Sequence, residues 1–316
     1  MAVSSAHIRH QLPVIKGLLQ VGWSAVAGAP PAVAPPLPGP EITAELPPRS
    51  GALVSDLVRW SGGDARAWRG QLPPTMFPQW GFPLLGQTLE SVPYPLTKVL
   101  NQGCRITVNA PLPAGVPLRA TAQLVGIEES PHKARIHQVL RTGTAEAPDA
   151  LVCDVYSVVP LGRRPKGGGP RRAKPAVPRG MRELGRRRLK ADAGLDFAKL
   201  TGDFNPVHWV PAYARMAGFR TVILHGFATL SIAVETVIRA HWSGDVARFR
   251  GVDVRFTRPL VLDRRAELGV FLGEPDKTGA RPLAVGTAPG GPAFMLGTLA
   301  PSPRPPSPSA PAAAGA

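Results

Sequence analysis

Cysteine is nearly missing from this 316-residue chain, which holds Cys104 and Cys153 and no others. Two cysteines cannot build a disulfide framework, and no CxxC spacing offers zinc a site. No apolar run approaches the roughly 20 residues that span a bilayer. Pro13, Lys16 and Gly17 interrupt the one N-terminal stretch that resembles a leader. There is no GxxxxGK[ST] phosphate loop, no GxGxxG after a strand and no GxSxG elbow. Kinase, nicotinamide-dependent and serine-hydrolase readings therefore have no local support, and no ligand set supports haem or a metal. The expectation is a cytoplasmic protein without membrane insertion, metal or cofactor. Acidic residues are also few, 21 against 37 Lys and Arg, for a formal net charge of +16.

What the chain does have is apolar mass. It is 44% hydrophobic and 18% charged, enough for two ordinary domains or one doubled unit. Its 34 Gly and 38 Pro are unevenly spread. They gather in Pro30 to Pro48, in Pro160 to Gly180 and from Pro301 onward, stretches with little to bury. The positive charge is uneven too: Arg163 to Lys190 holds 12 Lys and Arg against Glu183 alone. That run can be a solvated spacer, a phosphate-binding arm, or a rim for an anionic small ligand. It has no aromatic residue to stack a base and no zinc-finger or RNP-like pattern beside it, so the spacer is favoured and nucleic acid is not expected. The chain divides into an N-terminal extension, partly flexible (1–47), a first half (48–162), a basic Gly/Pro-rich linker (163–180), a second half (181–300) and a disordered tail (301–316).

The two halves show one order of elements. FPQWGFPLLGQTLESV from Phe77 has apolar residues near a 3.6 period, weakened by Pro83. Strand candidates follow at GCRITVNA, PLRATAQLVGI, ARIHQVLRT and ALVCDVYSVV. The second half opens with LHGFATLSIAVETVIRAHW, Leu224 to Trp242, where Phe227, Leu230, Val234, Val237 and Ile238 recur at helical spacing. RFRGVDVRFTRP, AELGVFLG, PLAVGTA and AFMLGTLA then read as strands. A helix packed on an antiparallel sheet, twice over, is an α+β arrangement.

One constellation carries chemistry: LTGDFNPVHWVPAYARMAGFRTVILHGFATL, between the linker and the long helix. Asp203 and His208 put a carboxylate and a tunable base five residues apart. Asn205–Pro206 between them is a turn pair that can aim both side chains into one cavity. A short helix is expected from Pro211 and ends at Gly218. His225–Gly226 then opens the long helix, where the Gly226 N–H can stabilise an oxyanion. Taken singly, Asp203 is as readily a cap, His208 a packed histidine and Gly226 a turn glycine.

The whole string resembles the hydratase motif of the MaoC-like dehydratases, the R-specific enoyl-CoA hydratase family. GDFNPVH, from Gly202 to His208, matches every defining position, and Pro211, Tyr213, Ala214, Gly218, Phe219, His225 and Gly226 extend the match. The chain is similar to the double-hotdog members, in which two long central helices are each wrapped by an antiparallel β-sheet and one half keeps the motif. The resemblance implies reversible hydration of a trans-2-enoyl-CoA to the R-3-hydroxyacyl-CoA. Asp203 and His208 would be the dyad and Gly226 the oxyanion donor, with Asn205, His225 and Phe227 at the substrate. The alternatives are a dehydratase for chains on an acyl carrier protein, or a non-catalytic hotdog that binds acyl thioesters; a homodimer is possible under each. The chain departs from the family at Val210, where a capping acid is common, at Val222, where proline is common, and at Phe227, bulkier than the usual methionine or leucine. Elsewhere the readings are plainer. Cys104 and Cys153 read as small buried groups, Trp60, Trp68 and Trp80 as packing, His132 and His137 as pointing to opposite strand faces, and Arg255 and Arg258 as solvated or near ligand phosphates.

Overall fold

A run of β-branched residues alternating with polar ones opens the first sheet unit: β2 (Leu100–Val108), β3 (Leu118–Ser130), β4 (Lys133–Gly143) and β5 (Leu151–Pro160). The computed structural model describes residues 3–12, 14–15, 35–95, 99–162 and 173–302. Most of the linker, with Arg171 and Arg172, and the tail beyond 302 lie outside the described residues. In β5 the burial alternates residue by residue, with Leu151, Cys153, Val155, Ser157 and Val159 inward, as a half-buried strand requires. β1 (Ile42–Leu46) pairs with β3 at the edge.

The second unit repeats the plan with β6 (Arg182–Arg188), β7 (Gly251–Phe256), β8 (Glu267–Leu272), β9 (Arg281–Gly286) and β10 (Ala293–Leu299). The strand order is β1-β3-β4-β5-β2-β7-β10-β9-β8-β6, so 1-3-4-5-2 meets the same order in reverse, 7-10-9-8-6. Every pair within the ladders is antiparallel. The units join where β2 pairs with β7, from Gly103 opposite Arg255 to Thr107 opposite Gly251. One continuous ten-stranded sheet results, with five strands from each unit. Arg105 spans the junction on the outer face and binds Asp253 through Nε at 2.9 Å and a terminal nitrogen at 2.7 Å.

The inner face carries the helices α1 (Gly51–Ser61), α2 (Pro78–Gln87), α3 (Ala193–Thr201) and α5 (Gly226–His241), while the short α4 (Pro211–Met216) is mostly exposed. α5 is buried from Phe227 to Ile238 on every side, the mark of a helix enclosed by sheet and helices. Its counterpart α2 is short at 10 residues and runs through Pro83. The expectation of two long central helices therefore holds in the second unit and is shortened in the first. Phe227 joins the units, its ring edge-on to Phe77 at 5.2 Å and to Phe82 and Phe256 at 5.5 and 5.4 Å. Each such pair adds about 0.5–1.5 kcal/mol beyond area burial. Trp60, Trp68 and Trp80 are buried, as are Cys104 and Cys153. His137 lies on the outer face, bound to Asp154 at 2.7 Å and stacked on Tyr156.

Residues that read as spacer or extension are in part built into the fold. Val177 and Met181, in the basic run, pack with Phe271, Ala284 and Ala293 on the outer face of the second unit. β6 takes RELGRRR into the sheet, and Arg187 stacks over Trp60 at 5.2 Å.

An acid sits deep in α5. Glu235 is 2% exposed and accepts the Trp68 indole N–H at 2.9 Å. Burial lifts its pKa from 4.5 to about 8, against the opposing Trp68 hydrogen bond. The unfolded chain ionises near the lower value and the folded chain near the upper one. Stability linked to this group is therefore full below the lower value and lost as pH rises to the upper. Glu235→Gln keeps an acceptor for Trp68 and cannot ionise. Relative to wild type it is expected to gain on the order of a few kcal/mol between pH 5 and pH 8. Urea melts of both chains at the two pH values check this; a difference that does not change with pH contradicts it.

Candidate active site

α3 stops because Gly202 turns left-handed, with φ 82°, and returns its N–H to Ala198 at 2.7 Å. Asp203 begins the next turn, where its Oδ1 accepts the Asn205 N–H at 3.4 Å. Asn205 then caps a 3-10 turn over Pro206–His208, its side-chain oxygen accepting the Val207 N–H at 3.2 Å. Its own side chain is turned to loop-building, and the residue is exposed. α4 follows from Pro211; its N-cap Val210 makes no side-chain bond, in keeping with the missing acid there.

His208 is aimed by a carbonyl. Its Nδ1 lies 2.9 Å from the Ile223 oxygen, so Nδ1 carries the proton and Nε2 keeps its lone pair. His225 lies beneath it, rings 3.5 Å apart and 24° from parallel, with Phe197 of α3 on the ring at 5.0 Å. His225 is 1% exposed and donates Nε2–H to the Asp203 carbonyl at 3.0 Å. That bond ties the turn to the residue that caps the start of α5. Among the described residues, His225 Nδ1 has no hydrogen-bond partner.

Donor atoms of Asp203, His208 and His225 all lie within 4.8 Å of one another. Burial raises the Asp203 pKa, while the His208 charge and the Asn205 N–H oppose it. Burial lowers His208, opposed by Asp203 and the Ile223 bond. His225 is held well below its ordinary value by burial and then by His208. Burial thus works against the charged form of both groups, and the acid and base titrate as one system. The same three groups are the described set with metal-ligand proximity. Two ring nitrogens of this set are already engaged by backbone carbonyls, His225 Nε2 at Asp203 and His208 Nδ1 at Ile223.

Gly226 is the first residue of α5, so its N–H has no intrahelical acceptor. A Cβ here would lie 2.7 Å from the Phe256 ring, so the position admits no side chain without moving that ring. Phe227, expected at the substrate, is instead buried in the ring cluster that joins the two units. Arg255 lines a groove of about 650 Å³ with Arg105, Arg250, Leu296 and Thr298 on the outer face of the sheet, away from the helices.

The sequence reading missed three parts of this arrangement. The Ile223 carbonyl orients His208, and Phe197 supports His225. Gly194 in α3 backs the turn so closely that a Cβ would lie 2.0 Å from the His208 carbonyl oxygen. A backbone carbonyl and a lone glycine have no pattern of their own, so neither could be picked out along the chain.

Residues 175–277 match the family described as the MaoC like domain. The chain carries a MaoC-like domain. Among relatives, the 3-hydroxyacyl-thioester dehydratase Y of Mycobacterium tuberculosis is 28% identical over 192 residues, 59% of this chain and 66% of that protein. The peroxisomal enoyl-CoA hydratase 2 of Arabidopsis thaliana is 40% identical over 58 residues, 18% of this chain and 19% of that protein. The match thus spans under two thirds of the one relative and about a fifth of the other. Beyond the MaoC-like domain, the fold of nearly the whole described chain has a counterpart. A MaoC-like dehydratase from Phytophthora capsici superposes with TM-score 0.68 at 17% identity, over 83% of this chain and 95% of that one. The MaoC-like domain and the unit before it together form the α+β hotdog arrangement. Among the described residues, no helix is long and apolar enough to cross a membrane.

Proposed function

We propose that this chain catalyses the reversible hydration of trans-2-enoyl-CoA to R-3-hydroxyacyl-CoA, with residues 181–300 as the working hotdog unit and 48–162 as its motif-free partner. The observation that carries the reading is the meeting of the Asp203 carboxylate and the His208 imidazole with the start of α5. Two relatives are named as a thioester dehydratase and an enoyl-CoA hydratase, the two directions of one reaction.

The thioester carbonyl accepts the Gly226 N–H, assisted by the positive end of α5, which draws electron density from C3. A water bound between Asp203 and His208 attacks C3 and gives its proton to the unprotonated member of the pair. The protonated member delivers its proton to C2 as the enolate collapses. One water is consumed, and the pair ends with the single proton it began with. Asn205 shapes the turn, and His225 anchors it to α5 through the Asp203 carbonyl.

Purified protein is expected to hydrate crotonyl-CoA, or a longer enoyl-CoA, with no added metal or redox cofactor. Loss of the enoyl-thioester ultraviolet absorbance measures it, and chiral analysis should return the R-3-hydroxyacyl product. Inactivity across short, medium and long chains in folded protein removes the CoA reading. Activity on carrier-bound chains alone would assign the carrier-protein alternative.

A further inference from the structure

The segment before the first sheet strand reaches across the molecule to the turn that carries Asp203. The Val3 N–H binds the Asp196 carboxylate at 3.3 Å, and Lys199 Nζ returns a bond to the Val3 carbonyl at 3.3 Å. Ser5–Gln11 forms a 3-10 turn along α3. Gln11 is fully buried, and its amide nitrogen lies 3.1 Å from the carbonyl oxygens of both Lys199 and Leu200. These belong to the last turn of α3, whose carbonyls have no acceptor role left inside the helix. Val14 is 1% exposed and lies over Gly202: a Cβ on that glycine would come within 2.6 Å of the Val14 Cβ. Contacts thus fall on residues 199, 200 and 202, immediately before Asp203.

The same segment holds the other unit. The Gln11 side-chain oxygen accepts from Gln79 Nε2 of α2 at 3.2 Å, and that nitrogen also lies 3.3 Å from the His10 carbonyl. His7 meets Asp56 of α1 at 2.8 Å. α1 and α2 belong to the unit without the motif, and α3 leads into the motif.

We propose that Gln11 and Val14 are positioning residues that clamp the Gly202–His208 turn against the helices of the motif-free unit. The inference rests on the activity proposed above. Its physical basis is leverage: at a left-handed residue a small rotation of Gly202 swings the Asp203 carboxylate, and a displacement near 1 Å can cost about 10²-fold in rate. Polar groups of the turn are met by Asn205 and His225 on one side; Gln11 and Val14 close the other.

The test uses full-length Gln11→Met, which keeps length and apolar volume and removes the amide, with Val14→Ala beside it. His7→Gln is the comparison, since it loosens the same segment at α1, away from α3. Gln11→Met and Val14→Ala are expected to lower kcat about tenfold with KM within about twofold. Amide exchange at 202–208 should speed up about tenfold while 226–241 exchanges as in wild type. His7→Gln should lower Tm and leave kcat unchanged. Unaltered turnover and exchange in Gln11→Met, even with a lower Tm, overturns the clamp, as does faster exchange with unaltered kcat. Should wild type hydrate no enoyl thioester, exchange alone decides. Faster exchange at 202–208 then supports the clamp while the enzymatic reading fails, and unchanged exchange removes both.

Discussion

Asp203→Asn and His208→Gln are each expected to lower turnover by a factor of about 10² to 10⁴. Both substitutions keep the outline of the side chain. Asn still accepts the Asn205 N–H through its oxygen, so the turn stays, but the group that can take up and give back a proton is lost. Gln at 208 can keep a bond to the Ile223 carbonyl while removing the lone pair held by the ring. The double variant should be little worse than either single one, since the two groups act as one proton-transfer unit. Affinity for a saturated acyl-CoA should change far less than turnover. Steady-state rates and calorimetric binding of the three variants measure this. Near-wild-type turnover in both singles removes the pair from the chemistry. Weak binding with normal turnover at saturation makes them substrate-positioning groups instead.

The second large effect is expected at a residue with no chemistry of its own. Gly194→Ala places a Cβ 2.0 Å from the His208 carbonyl oxygen and 3.4 Å from the His208 Cβ. Neither neighbour is a flexible side-chain end, so α3 and the turn must separate. Relief moves His208 relative to Ile223 and to His225, whose stacking depends on the same 3.5 Å spacing. A shift near 1 Å predicts a loss of about 10²-fold in kcat, alongside about 1–3 kcal/mol of stability from overpacking. The paired measurement is kcat at saturating enoyl-CoA and the urea midpoint. A stable protein with unchanged kcat would mean that α3 does not fix His208.

The legible parts of the fold were those with period and length. Each of β2 to β5 alternates or runs apolar over at least nine residues, and α5 shows its heptad-like spacing plainly. Illegible were elements whose stability comes from neighbours. β1 is five residues in a proline-rich stretch, and β6 is RELGRRR, a sequence that reads as solvated charge. An edge strand has one partner and one open side, so its composition follows the solvent as much as the sheet. α1 and α3 are amphipathic but short, 11 and 9 residues, so each shows few turns of its pattern along the chain. At the site, the contiguous string named Asp203, His208, His225 and Gly226, and the structure brings them together. What the string did not contain was the long-range support: Gly194, Phe197, Gln11 and Val14 meet the turn through tertiary contacts.

The junction at β2 and β7 has a consequence for how copies of this chain can meet. Joining the units there leaves the sheet, among the described residues, with two margins, β1 and β6. At β6 the margin carries Arg182, Arg186, Arg187 and Arg188 against Glu183. Arg182 and Arg188 lie at the two ends of the strand, while Arg186 is held by Glu183 and Glu267 and Arg187 by Trp60, so the margin is a charged edge of the kind that discourages a further strand. Charge of this kind marks one margin alone, since β1, at the other end of the sheet, is ITAEL with the single acid Glu45.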